Sequence, residues 1–116
     1  MEAVWLGAVE ARFADLVWEH APMTTRQLVA LCDDYFGWRR TTTYTVLKKC
    51  CRRGLFAVEN SAVSVLLSRE QYYILQAEAV LEKGFAGSLA TFLAAYAKER
   101  PLTPEAIKSL RKITEE

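Results

Sequence analysis

The chemistry this sequence offers is concentrated between positions 39 and 53. Arg39, Arg40, Lys48, Lys49, Arg52 and Arg53 stand there with no acid among them, interleaved with Thr41, Thr42, Tyr44 and Thr45. Cationic side chains along one helix neutralise phosphates and fix its register on a duplex, while hydroxyls bond phosphate oxygens or base edges. In an arbitrary protein a charge run is usually only a solvated face. Here it falls in the third of three closely joined helical segments, the arrangement of a helix-turn-helix. Arg39, Arg40, Lys49 and Arg52 are therefore expected on phosphates, with Thr41, Thr42 and Thr45 in the same interface. Tyr44 and Lys48 are expected to project from the outer face and read a groove: a lysine donates to guanine acceptors, and a tyrosine ring packs on a thymine methyl. Arg53 is expected to serve the helix end, where a cation meets the negative end of the dipole.

Other chemistries find little support. The one histidine is His20, beside a turn and without a nucleophile near it in sequence. The three cysteines, Cys32, Cys50 and Cys51, form no CxxC, and no HExxH is present to hold a metal. Asp33 and Asp34 are neighbours and do not share a helix face. Gly84 and Gly87 lack the remainder of any nucleotide-binding motif. We expect no enzyme, no metal and no cofactor. An odd thiol count with a vicinal pair suggests a reduced, intracellular protein, and hence a cytoplasmic one. Residues 1–6 lack the basic and apolar regions of a secretory leader. No run of 18 apolar residues occurs, so membrane insertion is not expected.

The positioning elements follow from periodicity. Val9, Phe13, Leu16 and Val17 give residues 5–19 a helical stripe, which ends before Pro22. Thr24, with Gln27 three residues on, forms a capping box for a second helix carrying Leu28, Leu31, Cys32 and Tyr35 or Phe36, closed by Gly37. The third helix spans about 41–53, with Thr43, Val46, Leu47 and Cys50 inward. Residues 55–59 and 62–66 then read as a hairpin turning at Asn60-Ser61. Ser68 with Gln71 caps a further helix, Gly84 and Gly87 interrupt it, Pro101 ends the next, and Thr103-Pro104 starts the last. The fold class is mainly α: a winged helix-turn-helix with a short β-hairpin wing over residues 1–67, then a helical dimerisation region over 68–116.

The run from Thr42 to Leu55 resembles the third helix and strand start of the penicillinase-repressor family, which includes beta-lactamase, methicillin-resistance and copper-responsive repressors. Thr42, Thr45, Val46, Leu47, Lys49, Cys50, Arg53 and Gly54 fall on the family pattern. Leu16-Val17-Trp18, Ser68-Arg69-Glu70-Gln71-Tyr72, Phe85-Ala86-Gly87-Ser88-Leu89 and Leu102-Thr103-Pro104-Glu105 resemble further landmarks, so the likeness covers nearly the whole chain. It implies a homodimeric repressor that binds a palindromic operator in double-stranded DNA through two half-sites about one helical turn, or multiples of it, apart. Tyr72, Leu75, Leu89, Phe92, Leu93, Tyr96, Leu110 and Ile113 are its candidate dimer contacts.

Departures from the family are specific. The hairpin has only Glu59-Asn60-Ser61 at its tip and no positive charge from 55 to 67. Tyr44 takes a place often held by a small or basic residue, and Cys50 one usually held by Leu. In antibiotic-responsive members a membrane sensor leads to cleavage after an Asn that precedes an aromatic residue. Ala95-Tyr96 stands there, so an upstream sensor or protease is left undefined. The copper-responsive members' C-terminal cysteine cluster has no counterpart.

Composition sharpens in that light. With 116 residues, 52% hydrophobic and 25% charged, the chain is too apolar for disorder and short enough to favour a shared core. Its 15 basic and 14 acidic residues give +1, but this is an average over unlike regions. Residues 69–116 carry seven of each, and the acid-free segment carries the DNA-binding expectation. The uncharged wing and near-zero net charge motivate an alternative, a winged-helix protein-interaction module with weak or lost DNA binding.

Overall fold

The structure, a computed structural model, describes residues 5–115. The reading of residues 1–6 as lacking a leader thus falls mostly outside it. The chain order is α1 (Ala8–His20), β1 (Met23–Thr24), α2 (Thr25–Phe36), α3 (Arg40–Arg52), β2 (Phe56–Glu59), β3 (Ala62–Val65), α4 (Arg69–Gly84), α5 (Leu89–Glu99) and α6 (Pro104–Thr114). This is the expected mainly α winged helix-turn-helix with a β-hairpin wing. The chain divides into two compact units after Gln76.

In the first unit α1 starts later than its apolar pattern suggests. Gly7, in extended backbone, is its N-cap, and Val9 in the first turn is exposed. Phe13, Ala14, Leu16 and Val17 supply the buried stripe. The Thr24 capping box forms as expected: Gln27 N–H donates to Thr24 Oγ1 at 3.1 Å, and Thr24 N–H donates to Gln27 Oε1 at 2.9 Å. Such caps are worth about 1 kcal/mol. Gly37 closes α2 at φ 67°, a left-handed conformation that glycine adopts without a Cβ penalty. Of the alternatives at the end of the stripe, Phe36 is half-buried and Tyr35 exposed.

The sheet is antiparallel with strand order β1-β3-β2. The hairpin aligns Phe56 with Val65 and Glu59 with Ala62. Asn60 and Ser61 both take positive φ, 52° and 62°, as a two-residue hairpin turn matched to strand twist requires. Where only a break was expected, Met23 and Thr24 pair with Val63 and Ala62. Thr25 N–H also donates to Ser61 O at 2.9 Å. The wing tip is thereby tied to the start of α2.

The core gathers Phe13, Val17, Leu28, Cys32, Leu47, Cys50, Phe56 and Val63, all essentially without exposure. Phe13 stacks on Trp38 at 6.1 Å between centroids and meets Phe56 edge-on at 6.4 Å. The Trp18 indole N–H donates to Leu67 O at 2.9 Å, which satisfies the polar end of an otherwise apolar ring. Cys50 fills a small core position: burial, helped by neighbouring Cys51 and Glu10 and opposed by Arg53, pushes its thiol up to about 12. A neutral thiol in such a site acts as a small hydrophobe.

Ser68 caps α4 through the expected reciprocal pair with Gln71. The first turns of α4 belong to the first unit rather than to a region starting at Ser68. Tyr72 and Gln76 are buried there, and Leu6 N–H donates to the Tyr72 hydroxyl at 2.9 Å. In the second unit Ser88 and Thr103 cap α5 and α6 with their hydroxyls, and Pro104 opens α6. Phe85 and Phe92 meet edge-on at 5.2 Å, and Phe92 approaches Tyr96 at 5.9 Å. Among the described residues after Gln76 none is buried.

Candidate nucleic-acid interface

Helix α3 is split lengthwise by burial. Thr43, Val46, Leu47 and Cys50 are its inner face. Thr41, Thr42, Thr45, Lys48, Lys49 and Arg52 are exposed. Spacings of four, three and four residues align Thr41, Thr45, Lys48 and Arg52 along one line, with Thr42 and Lys49 beside it. Arg39, at the N-cap, and Arg40 are exposed at the same helix's start. Of the nine side chains expected at DNA, eight are exposed. Thr45 Oγ1 donates to Thr41 O at 2.9 Å. Its lone pairs stay open to a donor.

The basic side chains differ in their engagements. Arg53 pairs with Glu10 at 3.7 Å, so it anchors the end of α3 to α1, in keeping with its expected role at the helix end. Among the described residues, Lys48, Lys49 and Arg52 make no ion pair. Lys49 and Arg52 occupy the last turn, where cations complement the helix dipole. Arg40 is the reverse case. It sits in the first turn of α3, at the positive end of the dipole, with no acid in that turn and no side-chain cap from Arg39.

Tyr44 is not a free outward side chain. It is half-buried, turned to the flank of α3 and packed on the core. The Arg40 guanidinium lies 5.5 Å from its ring centroid. A hydrogen bond with the Thr25 hydroxyl holds its phenol below the usual range, against the effect of burial, and Arg40 acts in the same direction. The expectation that Tyr44 projects like Lys48 is corrected: the two are four residues apart on one side of α3, but Tyr44 packs on the core while Lys48 is exposed. A cleft of about 510 Å³ opens at this place, lined by Thr24, Thr25, Arg26, Val29, Arg40, Tyr44 and Ser61. Sequence reasoning did not bring Thr25, Arg26 and Ser61 to the start of α3. The capping box located the α2 N-terminus, but the β1–β3 pairing that brings it to the wing tip has no local signal.

The hairpin presents Glu59, Asn60, Ser61 and Ser64 to solvent, along with Val58, Val65 and Leu66. Of the residues expected at a dimer contact, Leu89, Tyr96 and Ile113 are exposed, while Leu75, Phe92, Leu93 and Leu110 are half-buried. Tyr72 is corrected: it lies inside the first unit, where α1 and α4 meet. Trp18 is 5.8 Å away, and only 4% of Tyr72 is accessible. The exposed large apolar side chains on α4 are instead Tyr73, Ile74 and Val80. Among the described residues no helix is long and apolar enough to cross a membrane.

A three-helix core, a short antiparallel hairpin and a basic, acid-free third helix define a winged-helix protein with its third helix outward. The chain belongs to the penicillinase repressor family, whose model matches residues 6–116. Membership places it among transcriptional repressors, a regulatory class rather than an enzymatic one. No curated protein matches the chain.

Proposed function

We propose that this protein is a homodimeric transcriptional repressor that binds a palindromic operator in double-stranded DNA and competes with polymerase for the promoter, in the cytoplasm. One observation carries the reading. The exposed side of α3 presents Lys48, Lys49 and Arg52, without an ion pair among the described residues, and three threonines with no acid, while its other side is committed to the core. A helix of 13 residues with that division fits the major groove, where side chains reach base edges. Lys48 is the base reader. Arg39, Arg40, Lys49 and Arg52 neutralise phosphates, and Thr41, Thr42 and Thr45 supply hydroxyls.

The homodimer has separate support. Helices α5 and α6 carry Leu89, Phe92, Leu93, Tyr96, Leu110 and Ile113, yet no described residue of theirs is buried. Apolar surface left in water costs about 25 cal/mol per Å² relative to burial, and a second copy offers the same apolar side chains in return. A second reading, a protein-interaction module, is favoured by the exposed Val58, Val65 and Leu66 of the uncharged wing.

Selection from a randomised duplex pool at near-physiological salt separates the two. The repressor reading expects enrichment of an inverted repeat. A folded, dimeric protein that enriches no duplex would leave the interaction module standing.

A further inference from the structure

The Arg40–Tyr44 pair places a cation where its own helix gives it no stabilisation. A guanidinium in the first turn of α3 faces the positive end of the helix dipole and, among the described residues, has no acid to offset it. Such a position is electrostatically unfavourable unless an anion is present. The side chain is nevertheless held in place. Its guanidinium lies over the Tyr44 ring, and Tyr44 is itself packed on the core beneath. Arg26 lines the same cleft from the first turn of α2, which also lacks an acid. The wing tip closes the third side, since Thr25 N–H is engaged by Ser61 O. Two arginines, a phenol and threonine hydroxyls thus converge on about 510 Å³ of open space without a carboxylate.

We propose that Tyr44 is a positioning residue rather than a base reader: it holds Arg40 over this cleft so that Arg40 and Arg26 together take one phosphodiester group of the DNA backbone. The inference rests on the DNA-binding reading above. The occupant is an oxyanion because every charged group in the lining is a donor with no acceptor capacity. A phosphodiester suits the place because the cleft adjoins the start of the reading helix. A planar guanidinium stacked on an aromatic ring loses less freedom on engaging a phosphate than a free lysine does.

The test measures affinity for an enriched duplex as a function of salt, in wild type, Arg40→Ala, Tyr44→Leu, Tyr44→Phe and the Arg40→Ala/Tyr44→Leu double variant. Arg40 is exposed, so its alanine variant keeps the fold even if Tyr44→Leu does not. Loss of one phosphate contact lowers the slope of log affinity against log salt by about 0.9. Arg40→Ala and Tyr44→Leu each lose that amount, the double variant loses no more, and Tyr44→Phe keeps the wild-type slope because the ring face remains. None of the Tyr44 variants changes the enriched base sequence. An altered base preference in Tyr44→Leu, or an unchanged slope in Arg40→Ala, overturns the proposal.

A second measurement separates its failure from failure of the DNA-binding reading. Inorganic phosphate is titrated into labelled protein while the Thr25 and Arg26 amides and the Arg40 Nε–H are followed by NMR. Saturable shifts in wild type, lost in Arg40→Ala, sustain the site even if no duplex binds. Absence of such shifts together with absence of duplex binding overturns both.

Discussion

Replacing Lys49 and Arg52 together by alanine removes two exposed cations from α3 that have no partner among the described residues. Alanine is the best helix former, so the helix persists and loses only favourable dipole interactions of about 0.3–1 kcal/mol each. If each cation neutralises one phosphate, the slope of log affinity against log salt becomes shallower by about 1.8. Between about 50 and about 200 mM salt, wild-type affinity should therefore fall about twelvefold more than that of the variant. Arg53→Ala is the internal control. Its charge is also on α3, but it is directed at Glu10, 3.7 Å away, so the slope should stay at the wild-type value. Fluorescence anisotropy with a labelled duplex across that salt range gives all three slopes. Equal slopes in wild type and the double variant, or an Arg53→Ala slope as shallow as that of the double variant, would refute the assignment of the outer face to phosphate.

Lys48→Ala should lower affinity for the enriched sequence by about 1–3 kcal/mol, the worth of a good base contact, while barely changing affinity for random duplex; competition titrations read the difference. Phe56→Ala, at a position 1% exposed between Phe13 and Trp18, should cost about 3–5 kcal/mol in urea unfolding. Ser61→Gly removes a side chain from a left-handed residue at φ 62° and should stabilise by about 1 kcal/mol, seen as a higher melting temperature. Native protein at pH 8 should leave Cys50 unlabelled by an alkylating reagent. Its thiol is pushed up to about 12 and so stays protonated there, whereas denatured protein should label fully. Phe92→Asp should convert the proposed dimer to a monomer in sedimentation while the near-ultraviolet signal of the first unit's tryptophans is retained.

Much of the reader was legible because its signals are local. The caps at Thr24, Ser68 and Thr103, the stop at Gly37 and the inward line Thr43, Val46, Leu47, Cys50 each depend on residues within one or two turns. The hairpin was legible for the same reason, although Asn60-Ser61 is a weaker turn pair than one ending in glycine. What escaped depends on distant partners. β1 is two residues long and exists because β3 pairs with it. Tyr72 looks like Tyr73 in sequence, and only the contact with Leu6 and Trp18 decides which ring is inside. Helical spacing puts Tyr44 on the same side of α3 as Lys48, and only its packing on the core and under the Arg40 guanidinium sets it apart. The late end of the first unit follows from the same packing, since the first turns of α4 complete a core begun by α1.

Operator recognition through the outer face of α3 is tested most directly by placing a photoreactive amino acid at position 48 and irradiating the protein on its enriched duplex. Crosslinks should form to bases in both half-sites, facing the major groove, and should disappear with random duplex at the same salt. Crosslinking at position 48 no stronger than from position 108 on α6 would contradict the assignment of this helix as the reader.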